Sequence, residues 1–548
     1  MGGLAMISAK GVTRVGVAWL SVAVLALLLA QTATATIYNW QTGQPIPGTE
    51  GIAPGPGVNL SNWNTESHSL RYGDFRNTDL NHSDFDDSWL DDAHFGGANL
   101  TSASFHSATL SGADLSGVIL MSALLRRASL TSANLTDAMV QGAYFGYTTS
   151  RGFTKEQLYS TASWKAKDLT GIGLAGNDLS GWNLAGQNLT AAHLGSATLT
   201  GANLADAVVP RANFGYTTST GFAKEQLYST ASWKAKDLTR IGLAGNDLSG
   251  WNLAGQNLTS ADFFRATLSG ADLSGANLTW AHLKGATLTG ADVTDAIVQG
   301  ASFYDATSRG FTKEQLYSTA SWKAKDLRHI HLGANDLSSW NLAGQNLASA
   351  NFSGATLTGA NLMDANLTSA DLSGADLTLA DLRKAQGASL AGAVTRNTIR
   401  PDGKVEGLNL LAGDTLVIRN CDMAVTVQSA MTLDGASVLK FLLEGGWGST
   451  VAAPAGAVPD LGGTLYLGFA EGPDPATLVG QTFDIFNWNG PLDAGNRFDD
   501  VRSEPWASWD LGALYTTGEV TLLAVPEPAT LLLLALGGVG MLVRRRRK

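Results

Sequence analysis

The stretch Ala98-Asn99-Leu100-Thr101-Ser102-Ala103-Ser104-Phe105-His106-Ser107-Ala108-Thr109-Leu110-Ser111-Gly112-Ala113-Asp114-Leu115 places Leu or Phe at every fifth position and Ala two residues before each. The beat extends outward to Leu70 on one side and Leu382 on the other, through three interruptions. A period of five matches neither the helical 3.6 nor the strand period of 2, so neither an amphipathic helix nor an alternating strand keeps these side chains on one face. A unit alone cannot bury its single Leu, so the units have to stack, as in any solenoid. Each buried Leu or Phe then contributes roughly 1.5–3 kcal/mol. Asn or Asp followed by Ser, Thr or Gly is expected at the corners, where turns need local side-chain hydrogen bonds.

Units such as Ala113-Asp114-Leu115-Ser116-Gly117 and Ala271-Asp272-Leu273-Ser274-Gly275 resemble the pentapeptide-repeat family. The resemblance implies an all-β fold: a right-handed quadrilateral β-helix in which each unit forms one side of a square. The central Leu or Phe and the preceding Ala point inward, and four units make a coil. Central positions run from Leu60 to Phe145, Leu169 to Phe214, Leu238 to Phe303 and Leu327 to Leu382, with Thr65 as a weak member. That amounts to about 54 units, or some thirteen coils, a rod of about 65 Å at the usual strand spacing.

The interruptions are near copies. Gly152-Phe153-Thr154-Lys155-Glu156-Gln157-Leu158-Tyr159 and its continuation to Lys167 recur from Gly221 and from Gly310. Thr154 with Gln157 three residues on is a capping-box pattern, which predicts a short helix of about two turns. Equal insertions that each bypass two sides should leave from the same edge of the square. After each one the small-residue slot is abnormal, holding Lys167, Ile172, Asn177, Trp182 and Gln187 before Ala192. A Trp overfills a slot made for Ala, so this coil is expected to be distorted, or its slot turned outward, with the Trp packed against the inserted helix. The aromatic residues Tyr159, Trp164, Trp182, Tyr228, Trp233, Trp251, Tyr317, Trp322 and Trp340 thus form either a local mini-core sealing the insertions or an interaction surface that stacks on sugars or a partner.

The termini indicate where the chain works. Lys10 and Arg14, the apolar stretch Val15 to Ala30 and Ala33-Thr34-Ala35 read as a signal peptide over 1–35. At the other end Pro526-Glu527-Pro528 precedes an apolar run, Leu531 to Val543, and the basic cluster Arg544, Arg545, Arg546, Arg547 and Lys548. The run is short for a stable span, and the basic cluster fits a membrane stop on the cytoplasmic side. The arrangement resembles the PEP-CTERM sorting signal. That resemblance implies an exosortase-type partner, transient anchoring in the inner membrane through the tail, and delivery to the cell surface or extracellular matrix. The expected organisation is a linker at 36–58, the solenoid at 59–395 with insertions at about 146–167, 215–236 and 304–325, a β-rich domain at 396–524 and the sorting tail at 525–548. Segments such as Asp414 to Arg419 and Gly463 to Gly468 read as strands of a β-helix or β-sandwich extension. Its end resembles the terminal β-region of autotransporter-type solenoids, expected to cap the open coil.

The formal net charge is −11, and removing the leader and the tail, both basic, deepens it to −17. Such a surface disfavours nucleic acid. One cysteine, Cys421, rules out an internal disulfide framework. No catalytic constellation, cofactor site or metal site is expected. Gly171-Ile172-Gly173-Leu174-Ala175-Gly176 matches a dinucleotide fingerprint in letters only, because it lies inside the repeat frame and opens no long helix. The eight histidines are expected to be a solvated scatter, and the cluster Asp84, Asp86, Asp87, Asp91 and Asp92 lacks calcium-loop spacing, so that weak surface calcium binding is the most it offers. These features point to a non-enzymatic exported structural or interaction protein, with exopolysaccharide or other surface proteins as partners. The alternatives are an adhesin or glycan-binding module and, less favoured and implied only by the resemblance to the pentapeptide-repeat family, a DNA mimic that binds topoisomerase.

Overall fold

A computed structural model describes residues 36–525 apart from Ala457 and Pro473. Backbone contacts divide the chain into two compact units, one ending at Ala235 and one beginning at Lys236. The expected signal peptide, the Pro526 motif and the basic tail lie outside the described residues.

In the first unit each five-residue repeat supplies one bridging residue and a two-residue turn. Asn99 bridges Asp79 on one side and Ile119 on the other, so vertical neighbours are 20 residues apart. The Leu100 N–H donates to the Ile119 carbonyl at 2.8 Å, and Leu100, Phe105, Leu110 and their Ala partners are fully buried. Phenylalanines ten apart fall on opposite sides: Phe75 stacks on Phe95 at 4.7 Å and Phe85 on Phe105 at 4.9 Å, while the two stacks meet edge to face.

The corner assignment needs correction. Asn or Asp sits on the flat side as the bridging residue, and the corner is formed by the two residues after the central Leu. The Ala103 N–H closes a turn onto the Leu100 carbonyl, and Ser102 takes φ 56° at its second corner position. That left-handed geometry favours Gly and Asn, although Ser recurs at it here. At Gly112 a Cβ would point at the side chain of Asp92 in the neighbouring coil. The bridging side chain reaches forward into the turn: Asn99 Oδ1 accepts from the Thr101 N–H at 3.2 Å and from its hydroxyl at 2.7 Å.

Two further differences lie near the start. Thr65 is not a repeat member, because β1 (Asn64–Thr65) and β2 (His68–Ser69) form an antiparallel hairpin. Asn59 accordingly bridges Asp84, five residues beyond the usual spacing. The segment expected as a linker is folded onto the first coils. Asn39 bridges Gly73, the Trp40 indole N–H donates to the Asp92 carbonyl at 2.7 Å, and its ring stacks on His94 at 4.1 Å.

The insertions replace two sides each. The Leu130 N–H donates to the Arg151 carbonyl and the Gly142 N–H to the Thr170 carbonyl, so regular coil resumes at Leu169 above Val140. In place of the two sides stands a one-turn 3-10 helix, Thr149–Arg151, then helices Lys155–Ser160 and Ala162–Lys165, split at Thr161 by an extended backbone. The capping box of Thr154 and Gln157 is present. Leu130 and Leu199 lie on the same face of this unit, and the second insertion leaves above Leu199, so the two insertions share one pair of faces.

The second unit continues the twenty-residue bridges, from Asp237–Asn257 up to Asn366–Gln386, around a third insertion with helices Lys313–Ser318 and Ala320–Lys323. The next two bridges, Asp376–Val394 and Asp381–Ile399, are 18 residues apart, and the square then gives way to a three-sided parallel β-helix. One face carries β3 (Lys404–Val405), β6 (Val425–Val427), β9 (Val451–Ala452) and β13 (Phe486–Asn487) in parallel. The second carries β4 (Leu408–Leu410), β7 (Met431–Leu433) and β10 (Asp460–Leu461). The third carries β5 (Thr415–Arg419), β8 (Val438–Leu443), β11 (Thr464–Phe469) and β14 (Asp500–Ser503). Of the two extensions expected, the β-helix is the one formed. An antiparallel sheet of β12 (Thr482–Asp484), β16 (Glu519–Ala524) and β15 (Ser508–Asp510) follows, with Trp509 packed on Phe469 and Phe483.

Candidate functional site

The insertions are joined to the coils by side chains that substitute for missing backbone partners. Gln157 Nε2 donates to the carbonyls of Leu130 and Ala133 at 2.7 and 2.8 Å, and Ser163 Oγ accepts from the Val140 N–H at 2.8 Å. Gln226 with Ser232, and Gln315 with Ser321, repeat this. Buried backbone groups left unpaired cost roughly 1–3 kcal/mol each, which gives a physical reason for the same Gln and Ser at all three insertions.

The abnormal slot residues are the complementary half of the same joint. Asn177 Oδ1 accepts from the N–H groups of Thr148 and Thr149 while its Nδ2 donates to the Phe145 carbonyl. Asn335 does the same for Ala306, Thr307 and Phe303. Gln187 and Gln345 donate to the carbonyls of Trp164 and Trp322. The expected distortion of this coil is absent, since Asp178–Thr198 and Asn183–Asn203 bridge as elsewhere. Trp182 is buried against rings of the insertion.

Trp182 and Trp340 are 6% exposed, and Trp251 is 7% exposed. Trp182 packs against Phe153 at 5.9 Å and edge-on to Tyr159 at 6.4 Å, and Trp340 against Phe311 and Tyr317, each at 6.2 Å. Tyr159 stacks on Trp164, Tyr228 on Trp233 and Tyr317 on Trp322 at 4.0–4.1 Å, and all six rings are half-buried. Tyr159 Oη accepts the Asn183 N–H at 2.6 Å and Tyr317 Oη that of Asn341 at 2.7 Å. Burial raises both phenols above their ordinary pKa, the accepted N–H opposing it. At the first and third insertions the Trp of the slot thus packs onto the aromatic rings of the inserted segment. Clefts of about 500 and 630 Å³ nevertheless open beside the first and third insertions, with Phe153 and Trp182, and Phe311 and Trp340, in their walls.

The other groups singled out in the sequence are engaged locally. Asp86 accepts from Ser104 and from the His106 N–H, and Asp91 pairs with Arg71 at 3.0 Å. Among the described residues no group of His, Cys, Asp and Glu is arranged to hold a metal. The histidines are less uniform than a solvated scatter: His94 lies under Trp40, His282 contacts Asp262 at 3.2 Å, and burial, then His329 and His282, lower the pKa of His331. Among the described residues no helix is long and apolar enough to cross a membrane. Sequence reasoning missed Asp381 and Arg383, a buried pair at the change from four sides to three, because Ala380-Asp381-Leu382-Arg383 reads as one more repeat.

These features define a stacked β-solenoid scaffold with built-in insertions. The chain is a pentapeptide-repeat protein with a C-terminal PEP-CTERM protein-sorting motif: pentapeptide repeats match residues 78–117, 110–146, 168–215, 237–275, 261–300, 346–383 and 360–394, and the sorting motif matches 524–548. The motif implies export, anchoring by the C-terminal tail and an exosortase as a processing partner. Similar solved structures include HetL, a pentapeptide repeat protein involved in heterocyst differentiation regulation in the cyanobacterium Nostoc, at 23% identity over 63% of this chain and 91% of that one, TM-score 0.16. Another is a pentapeptide repeat protein of the Arabidopsis thaliana thylakoid lumen, at 27% identity over 25% of this chain and 65% of that one, TM-score 0.13. The plasmid-mediated fluoroquinolone resistance protein QnrB1 is similar at 13% identity over 57% of this chain and 85% of that one, TM-score 0.15. No curated protein matches the chain.

Proposed function

We propose that the protein is a non-enzymatic scaffold of the cell surface or extracellular matrix, exported, held by its tail and released there by processing at Pro526-Glu527-Pro528. The observation that carries this reading is the sorting motif at 524–548 on a chain built of stacked repeats. Pentapeptide-repeat proteins are generally structural or interaction proteins. At the first insertion the amides of Gln157, Asn177 and Gln187 are occupied in joining insertion to coil. Its partners are exopolysaccharide or other surface proteins, met along the sides of the solenoid.

A glycan-binding or adhesive role is the second reading, favoured by the clefts whose walls include Phe153 and Trp182, and Phe311 and Trp340. Topoisomerase binding by DNA mimicry is disfavoured by a sorting motif that directs the chain away from cytoplasmic DNA enzymes. Fractionation of the host with an antibody to the repeats and a second to a tag after Lys548 tests the primary reading. Repeat signal at the surface or in the matrix without the tag is the expected result, and both signals together in the inner membrane would refute it.

A further inference from the structure

A groove of about 550 Å³ in the second unit, between the third insertion and the three-sided helix, contains an arginine whose guanidinium has no partner among the described residues. Arg419 ends β5, and its carbonyl accepts from Arg383 at 2.8 Å. Burial lowers its pKa; nearby Asp381 opposes this but is already engaged by Arg383, and the charge of Arg383 lowers it further. A desolvated cation of this kind needs an anion to offset it.

The surrounding groups say which anion. Lys313, on the helix of the third insertion, adds a second positive charge whose one ion pair, with Glu314, is long at 3.9 Å and exposed. Tyr317 Oη already accepts an N–H, which leaves its own proton to donate. Glu444 and Glu471, which follow β8 and β11 in the sheet whose strand β5 ends at Arg419, line the groove as acceptors. Donors, acceptors and a cation together suit a ligand that carries hydroxyls beside a carboxylate, whereas a phosphate chain has no hydroxyls to donate to the two glutamates. The wall is built from successive rungs, with Arg419 in register with Leu442 and Leu442 with Gly468. Three rungs span about 10 Å at the strand spacing, the reach of a short saccharide. Strands β8 and β11 are paired on both edges, so they offer no free backbone to an extended peptide. At the first insertion Lys155, Tyr159 and Asn183 repeat the insertion side of the groove, and within that unit no three-sided helix supplies the second wall.

We propose that this groove binds a carboxylated saccharide, with the uronate carboxylate on Arg419 and Lys313 and ring hydroxyls shared among Tyr317, Glu444 and Glu471. The proposal rests on the interaction role given above and names its ligand class. Titration calorimetry of the full-length chain in detergent, with oligogalacturonate, a neutral cello-oligosaccharide of equal length and an oligoglutamate peptide, tests it. Oligogalacturonate alone should bind, and Arg419→Gln should weaken it at least about tenfold, the equivalent of one charge-assisted contact. Lys313→Gln, on an exposed helix that tolerates the change, should weaken it about threefold, as expected for one partly screened charge. Absence of binding, equal binding by both variants, or tighter binding of the peptide would overturn the assignment. Sorting is read separately by fractionation, so failure of the groove leaves the location standing and failure of sorting leaves the groove standing.

Discussion

Arg383 and Asp381 form an ion pair at 2.7 Å with both side chains removed from solvent, at the point where the four-sided coil becomes three-sided. The remaining guanidinium donors reach the carbonyls of Met423 and Arg419 and the Ser449 hydroxyl, so one side chain ties the last repeats to successive rungs of the next helix. Removing one member of a buried pair leaves an uncompensated charge at a cost of roughly 3–5 kcal/mol. Arg383→Met is therefore expected to destabilise the chain by about that amount in denaturant unfolding, and Arg383→Met with Asp381→Leu by less. A double variant as unstable as the single one would show that the carbonyl contacts, not the pair, hold the joint.

Asn177 and Asn335 each satisfy two N–H groups where the chain leaves the coil for an insertion. Asn177→Ala leaves both donors buried, an expected loss of about 2–4 kcal/mol. Asn177→Asp keeps the acceptor but sets a carboxylate against the Phe145 carbonyl, and should be at least as harmful. Hydrogen exchange should localise the effect to residues 148–153, and protection unchanged there in either variant would refute the coupling.

The coil was legible because its signal is purely periodic: Leu100, Phe105 and Leu110 recur at five, and no other packing buries them. The corners were misassigned because Asn99 hydrogen-bonds into the turn from the flat side, and sequence cannot separate a residue in a turn from one reaching to it. The hairpin at Asn64 to Ser69 was hidden because its polar residues keep the repeat length while breaking its geometry. The three-sided helix left only strand-like segments, since its coils differ in length: Lys404 pairs with Thr426, Val425 with Val451 and Thr464 with Asp500. The Trp slots carried the right signal, that Trp182 and Trp340 meet their insertions. Their partners Asn177 and Gln187 became readable only when the insertion's unpaired backbone was located.

Trp182 is buried against Phe153 and Tyr159 of the first insertion, so its loss should be felt there first. Trp182→Ala is expected to cost about 3–5 kcal/mol, the usual range for a large buried aromatic. Trp164→Ala, whose ring is half-buried on Tyr159, should cost less. Proteolysis near Lys165 should accelerate in Trp182→Ala while cleavage elsewhere is unchanged. Equal susceptibility in both variants would mean that the insertion is held by its hydrogen bonds alone.

Acid should loosen the coils through the bridging aspartates. The Ser180 hydroxyl and N–H beside Asp178 lower its pKa from the ordinary 3.8, and Ser373 and Thr294 act likewise on Asp371 and Asp292. A carboxylate with a depressed folded pKa contributes stability that is fully present above its unfolded value and is lost as pH falls through the folded one. The contribution of these carboxylates should therefore be flat from neutrality down to about pH 5 and decline below about pH 4. Asn retains the Oδ1 acceptor without titrating, so the triple variant Asp178→Asn, Asp292→Asn and Asp371→Asn should shift the decline to lower pH. A melting temperature that falls with pH identically in both proteins would place the acid-sensitive groups elsewhere.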